Sequence, residues 1–131
     1  MIPWNEYKAE AKARGSLAME VFIVESTPNE GLEAVKSNLP LHLAYQAELE
    51  SLGILMFAGP ISDPSGQYMD GTGFIIYRAR TFEEANDFAL KDPMHSSGAR
   101  KYSIKRWLIN EGSLQLDIKL SAQSISMTVD K

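Results

Sequence analysis

The chain has 131 residues, of which 44% are hydrophobic and 23% charged, and it carries a net charge of −4. This length and composition are typical of one soluble globular domain with a proper hydrophobic core. The acidic balance argues against nucleic-acid binding, which needs a basic face, and no apolar run approaches the length of a membrane span. Cysteine is absent, which excludes disulfides, thiolate metal sites and cysteine nucleophiles. With no recognisable signal peptide, we expect a cytoplasmic protein.

The first half of the chain predicts two helices and two strands. Residues 3–18 are polar and amphipathic, which predicts a helix, and the β-branched run 19–24 predicts a buried strand. The main helix is predicted to begin just before Pro40, because a proline suits a first helical turn, where its missing N–H is not needed. It is predicted to end at Gly53, and the apolar run 54–58 then predicts the second strand.

The second half predicts two strands, one capped helix and a terminal hairpin. The run 73–78 predicts a strand whose two faces are both apolar, so both faces should be covered. A helix is predicted to begin at Thr81, which forms a capping box with Glu84, and to stop before Asp92. The remaining expectations are a loop over 94–99, a strand over 102–109 and a hairpin of alternating apolar residues over 113–130.

The order strand, helix, strand, strand, helix, strand predicts an α+β, ferredoxin-like βαββαβ fold with helices on one face of a four-stranded antiparallel sheet. Since Phe74 and Ile76 on one face of the third strand and Ile75 and Tyr77 on the other are all apolar, we expect the face without helices to be buried by sheet-to-sheet dimerisation. The prediction from the element order is therefore a homodimer. Each subunit is one domain with a core over about residues 19–109, flanked by the N-terminal helix 3–18 and the C-terminal hairpin 113–130.

Short motifs along this core resemble the YciI-like, or YCII-related, family. The motifs are His42-Leu43, Gly53, Ala58-Gly59-Pro60, Gly71 with Gly73, Glu84-Ala85 and Asp92-Pro93. The resemblance covers Met19 to Leu108 and leaves out both terminal extensions. It implies a dimeric α/β-barrel fold, with relatives such as muconolactone isomerase-like enzymes and dehydrochlorinases of chlorinated aromatic breakdown. It does not imply one particular reaction, because most members have no assigned one.

His42 and Asp92 are the candidate catalytic residues. His42 is expected in the first turn of its helix, where the helix dipole disfavours a charged imidazole and leaves a neutral base. Asp92 is expected at a helix C-terminus, where the dipole disfavours a carboxylate, and such a local conflict hints at function. From the residues alone, a packed histidine that bonds a backbone carbonyl is the better explanation of His42, and an Asp-Pro helix stop is the alternative for Asp92. The family resemblance implies an acid/base His42 whose tautomer Asp92 fixes.

Other candidate residues lie near the ends of the second strand and the second core helix. The expected substrate contacts are Gly59, Pro60, Ser62, Pro93, Met94 and His95. Ser62 offers a hydroxyl to a substrate oxygen, with turn chemistry as the alternative, and His95 is expected on a surface loop or at a pocket rim. The fourth strand is basic, which favours either an anionic ligand or solvated edge charges, through Arg100, Lys101, Lys105 and Arg106. No metal is expected, because the two histidines have no ligand spacing, and no cofactor is expected either.

Two classes of function remain open. The first is a cofactor-free enzyme that uses His42 and Asp92 for isomerisation, lactone or dehydrochlorination-type chemistry on a small organic acid. The second is a non-catalytic protein on the same scaffold that binds a small ligand or a partner. A pocket with His42 and Asp92 in hydrogen-bond contact favours the enzyme, whereas a filled core around His42 favours the binding protein.

Overall fold

The computed structural model describes residues 1–29 and 31–130. The chain forms two compact units: residues 20–108, and residues 1–19 together with the C-terminal segment that begins at Ile109. The elements in chain order are α1 (Trp4–Ala13), β1 (Met19–Pro28), α2 (Leu32–Ser51), β2 (Leu55–Ser62), β3 (Met69–Tyr77), α3 (Phe82–Lys91), α4 (Pro93–Ser96), β4 (Arg100–Ile109), β5 (Leu116–Lys119) and β6 (Ser124–Met127).

Strands β1 to β4 form a sheet with the order β2-β3-β1-β4. Strand β3 pairs antiparallel with both β1 and β2, so that Ile76 lies opposite Ile23 on one side and Phe57 on the other. The β2–β3 register shifts between Leu55 and Phe57, and again near Pro60. This element order and topology confirm the predicted α+β, ferredoxin-like arrangement.

The two faces of the sheet are both apolar, as the sequence of β3 predicts. Alternation along β3 directs Ile75 and Tyr77 to one face, where they pack with residues of α2 and α3. The buried cluster on that face consists of Val24, Leu49, Ile75, Tyr77 and Ala89. The opposite face carries a shallow depression bordered by Ile23, Phe57, Phe74, Ile76 and Trp107. Phe57 and Trp107 are exposed there by 47% and 43%.

Helix α2 differs from its prediction in a way that changes the argument about His42. The helix spans 20 residues from Leu32, so Pro40 lies inside it and not in its first turn. Proline removes only one helical hydrogen bond, and residues before it are good helix formers. The side chain of Asn38 supports this segment by donating to the Ala34 carbonyl at 2.8 Å. His42 therefore lies in mid-helix, where the expected effect of the helix dipole does not apply.

Asp92 lies at the end of α3, as predicted, and it has a second structural role there. Helix α3 begins as expected, with Thr81 Oγ1 accepting from the Glu84 N–H at 3.0 Å. The Glu84 carboxylate in turn accepts from the main-chain N–H of Arg80. The predicted loop 94–99 instead starts with the short helix α4, and Asp92 is its N-cap. Asp92 is thus the C-cap of α3, as predicted, but its carboxylate also caps α4, a favourable position that offsets the predicted conflict.

The second unit contains α1 and the β5–β6 hairpin. Helix α1 ends at Ala13, earlier than predicted, and the Leu17 N–H donates to the Asn110 carbonyl at 3.0 Å. The hairpin confirms the alternating pattern, with Leu116 opposite Met127 and Ile118 opposite Ile125. These four side chains share one face of the hairpin and are all exposed in the single chain.

Candidate functional site

A cavity of about 400 Å³ lies within residues 20–108, bordered by α2, β3 and the ends of several other elements. Its walls are mostly apolar, with a small number of polar side chains. These are Ser26, His42, Gln46, Thr72 and Arg100. An apolar cavity with a few convergent polar groups is the usual form of a small-molecule site.

His42 is held on the cavity wall by Asp92. Its Nδ1 lies 2.8 Å from each carboxylate oxygen of Asp92. Asp92 is fully buried, and its Oδ1 also accepts from the Met94 N–H at 2.9 Å. Since an ionised carboxylate only accepts, Nδ1 carries the proton and Nε2 of a neutral His42 keeps its lone pair. The pair thus fixes the tautomer that leaves Nε2 as a base.

Gln46 lies one helical turn after His42 and is the neighbour of that second nitrogen. The Gln46 Nε2 is 3.4 Å from His42 Nε2, close enough for the amide to donate to the lone pair. Within the described part of the chain, the buried Gln46 Oε1 has no hydrogen-bond partner. Rotation of the amide would let this oxygen accept from an imidazolium. Sequence reasoning did not single out Gln46 as a site residue, although its spacing of four from His42 was the available signal.

His95 is buried and fully bonded, so its expected position on a surface loop or pocket rim was wrong. Its Nδ1 donates to the Ala89 carbonyl at 2.7 Å, and its Nε2 lies 2.8 Å from the Ser26 hydroxyl. Burial lowers the pKa of His95, although the bond to Ala89 partly opposes this. The neutral ring therefore accepts the Ser26 hydroxyl proton at Nε2. His95 acts as a structural bridge beneath the cavity.

Arg100 continues this bridge to the cavity surface. Its Nε donates to Ser26 Oγ at 2.9 Å, and its Nη2 donates to the main-chain carbonyls of Ser26, at 2.8 Å, and Gly71. Burial lowers the pKa of Arg100, and the charge of Asp92 opposes this. Gly71 has φ +93°, and an added Cβ would lie 2.9 Å from Cγ of Pro28. Glycine is therefore required at this bend, which sets the carbonyl that Arg100 binds.

The six expected substrate contacts separate into two groups. Gly59, Pro60 and Met94 line the cavity. The other three, Ser62, Pro93 and His95, are not among its lining residues. The Ser62 hydroxyl donates to the Asp63 carbonyl at 2.9 Å, which is the turn chemistry given as the alternative. Of the basic residues on β4, only Arg100 is on the lining, and the sequence could not separate it from its exposed neighbours.

Two further structural features concern metals and membranes. Within residues 1–29 and 31–130, no three His, Cys, Asp or Glu side chains converge as a metal site requires. Over the same residues, no helix combines the length and the apolar character needed to cross a membrane.

The fold and the site define a ferredoxin-like α+β protein with a mostly apolar cavity that is lined by His42 of a His–Asp pair. The sequence matches the YCII-related domain family over residues 19–108, and the chain belongs to this family. This confirms the resemblance carried by the short sequence motifs. No curated protein gives a significant match.

A solved structure similar to this chain is the 5-chloro-2-hydroxyhydroquinone dehydrochlorinase from Burkholderia phenoliruptrix, in complex with 2,5-dihydroxybenzoquinone. The two chains are 25% identical and superpose with a TM-score of 0.53. The similarity covers 66% of this chain and 92% of the dehydrochlorinase chain. It therefore extends over nearly the whole of that protein.

Proposed function

We propose that this protein is a cofactor-free enzyme that uses His42 and Asp92 as an acid/base pair on a small organic acid. One observation carries the proposal: His42 Nδ1 is 2.8 Å from the buried Asp92 carboxylate, and the same imidazole lines a cavity of about 400 Å³. A histidine packed in a filled core would instead favour a binding protein. The contact and the open cavity together support the catalytic alternative.

The chemistry follows from the tautomer. Nε2 of His42 takes a proton from a carbon or hydroxyl of the substrate, and the imidazolium that forms is stabilised by the Asp92 carboxylate. Return of that proton to a different carbon gives an isomerisation, including the isomerisation of a lactone. If that proton returns instead to a chlorine-bearing carbon of a hydroquinone ring, the keto form releases chloride from this carbon as a second hydroxyl loses its proton. The ring becomes a quinone, and the substrate loses H⁺ and Cl⁻ in total, which is a dehydrochlorination. The Gln46 amide can bind both states of the ring, since its NH₂ group donates to neutral His42 and its oxygen accepts from the charged ring.

The similar dehydrochlorinase supports this choice of chemistry. Its bound ligand, 2,5-dihydroxybenzoquinone, is a single six-membered ring. The cavity of about 400 Å³ lies within the usual range of about 300–1,000 Å³ for small-molecule sites. We propose that Gly59, Pro60 and Met94 contact the substrate there, because they line the same cavity as His42.

We also propose that the protein is a homodimer that buries the open face of the sheet. The support is the apolar surface around Phe57 and Trp107, which are exposed by 47% and 43% in the single chain. Stable interfaces bury roughly 800 Å² per partner, and aromatic anchors contribute much of their energy. Light scattering should give a dimer mass, with Phe57→Asp shifting it toward the monomer. The cytoplasmic location expected from the sequence stays a prediction.

The test of the function uses 5-chloro-2-hydroxyhydroquinone as the first substrate, with chloride release as the readout. A second assay follows exchange of substrate C–H protons with deuterated water by NMR, using a panel of small hydroxylated ring acids and lactones. His42→Ala should abolish both activities while the variant keeps the circular dichroism spectrum of the wild type. Equal activity of His42→Ala and the wild type would refute the acid/base role. Tight ligand binding without any turnover would support the binding-protein alternative.

A further inference from the structure

We propose that Arg100 is the anion-binding residue of the cavity, so that the ligand presents an oxyanion, such as a carboxylate, enolate or phenolate, to its guanidinium. This inference rests on the proposed function, because Arg100 and His42 line one cavity. It deepens that function by assigning a charge to the substrate. It also gives a role to Ser26 and His95, which do not take part in the acid/base step.

The first argument is the charge of Arg100. Its three hydrogen-bond acceptors are neutral: the Ser26 hydroxyl and the main-chain carbonyls of Ser26 and Gly71. Among the described residues, none of the ion pairs includes Arg100. Asp92 acts on Arg100 only through its charge, since its carboxylate is bonded by His42 and the Met94 N–H. A partly buried cation whose hydrogen-bond acceptors among the described residues are all neutral gains from an anionic ligand.

The second argument is the chain of hydrogen bonds that fixes the guanidinium. His95 donates from Nδ1 to the Ala89 carbonyl and accepts the Ser26 hydroxyl proton at Nε2. Ser26 in turn accepts from Arg100 Nε, so each group in this chain has its donor and acceptor satisfied. Ser26 and His95 are exposed by only 3% and 8%. Such buried, fully satisfied networks are rigid, which makes Arg100 a preorganised binding group.

The third argument is what the fixing bonds leave unused. They occupy Nε and Nη2, and no bond of Nη1 to a described residue is present. A guanidinium carries five N–H donors in a planar fork, so Nη1 keeps donors for a ligand in the cavity. Negative charge that develops on an oxygen during proton abstraction by His42 would be stabilised by a donor held in place before the reaction. Arg100 thereby suits an enolate or phenolate as well as a carboxylate.

The test measures binding of two probes of equal shape, 2,5-dihydroxybenzoate and 2,5-dihydroxybenzamide, to the full-length protein by calorimetry. The wild type should bind the benzoate at least about tenfold more tightly, in keeping with a charge-assisted hydrogen bond. Arg100→Gln should remove that preference while leaving the benzamide affinity within about twofold. Lys101→Gln is the matched control, because it removes one positive charge from the same strand at an exposed site that does not line the cavity.

Two further variants keep the outcome of the test interpretable. If Arg100→Gln fails to fold, Ser26→Ala replaces it, since loss of the Nε acceptor should weaken benzoate binding more than benzamide binding. His42→Ala should keep the benzoate preference even though turnover is lost, which separates failure of the anion site from failure of the acid/base role. No benzoate preference in the wild type, including no binding of either probe, would overturn the proposal, as would an unchanged preference in Arg100→Gln.

Discussion

Replacing Asp92 by Asn should abolish turnover while leaving the fold largely intact. The carboxylate has two oxygens at 2.8 Å from His42 Nδ1, and one of them also accepts from the Met94 N–H. An asparagine oxygen can keep the Met94 bond, which places an NH₂ group against Nδ1. Because that group would meet the present Nδ1–H donor to donor, we expect His42 to adopt the tautomer with the proton on Nε2, in which Nδ1 accepts from the amide. The nitrogen that should act as the base is then blocked.

The magnitudes follow from these contacts. Reversal of a catalytic histidine tautomer by Asp→Asn costs about 10⁴-fold in turnover in the serine proteases, and we expect a loss of that order here. Loss of one charge-assisted hydrogen bond should lower the free energy of unfolding by about 1.5–3 kcal/mol. Asp92→Ala should be less stable than Asp92→Asn by at least about 1 kcal/mol, because it also removes the N-cap of α4.

The assay combines chloride release or proton exchange, urea denaturation, and the ¹⁵N NMR signals of His42. Both variants should lose turnover to a similar extent, and they should differ in stability. The NMR signals should show the proton on Nδ1 in the wild type and on Nε2 in Asp92→Asn. Turnover of Asp92→Asn near the wild-type level, or an unchanged tautomer, would refute the assignment of Asp92. Equal stability of the two variants would refute its role as the cap.

Three other predictions concern the groups around the cavity. Burial lowers the pKa of His95, so the folded protein binds fewer protons than the unfolded chain and loses stability as pH falls below about 6.5. Between about pH 7.5 and about pH 5.5, urea denaturation should show a smaller loss of unfolding free energy for His95→Gln than for the wild type. Equal losses in the two proteins would contradict this prediction. Gln46→Leu should slow turnover, because it removes the amide that lies 3.4 Å from His42 Nε2, whereas Gln67→Leu, in an exposed turn, should leave turnover unchanged. Equal turnover of Gln46→Leu and the wild type would exclude a role for this contact. Gly71→Ala should lower the free energy of unfolding by about 1–3 kcal/mol, and by more than Gly66→Ala does. Both glycines have positive φ, but only at Gly71 would the added Cβ meet another side chain, at 2.9 Å from Cγ of Pro28. Thermal melting in which Gly66→Ala is the less stable variant would exclude this close contact.

The sequence by itself determined the element order and the family. Period-two alternation in β3 and the hairpin, the Thr81 cap, and the glycine that ends α2 are local signals, because each depends on residues a few positions apart. The motifs that resemble the YCII-related family follow the same elements, and the family match covers residues 19–108. Local rules failed where two of them competed: Pro40 suggested a helix start, yet the helix formers before it carried α2 back to Leu32.

Only the tertiary structure decided how the polar groups are paired. His42 and Asp92 are 50 positions apart, and Ser26 and Arg100 are 74 apart, so no local pattern relates either pair. The fold brings them together because α2 and α4 lie on the same side of the sheet, and β4 completes that sheet next to β1. Burial gave the two histidines different environments: His95 has both nitrogens occupied by protein, whereas His42 has one nitrogen held by Asp92 and the other near Gln46 on the cavity wall. Side-chain burial and pairing depend on distant chain segments, which is why the sequence could name these residues but not the partners that each one binds.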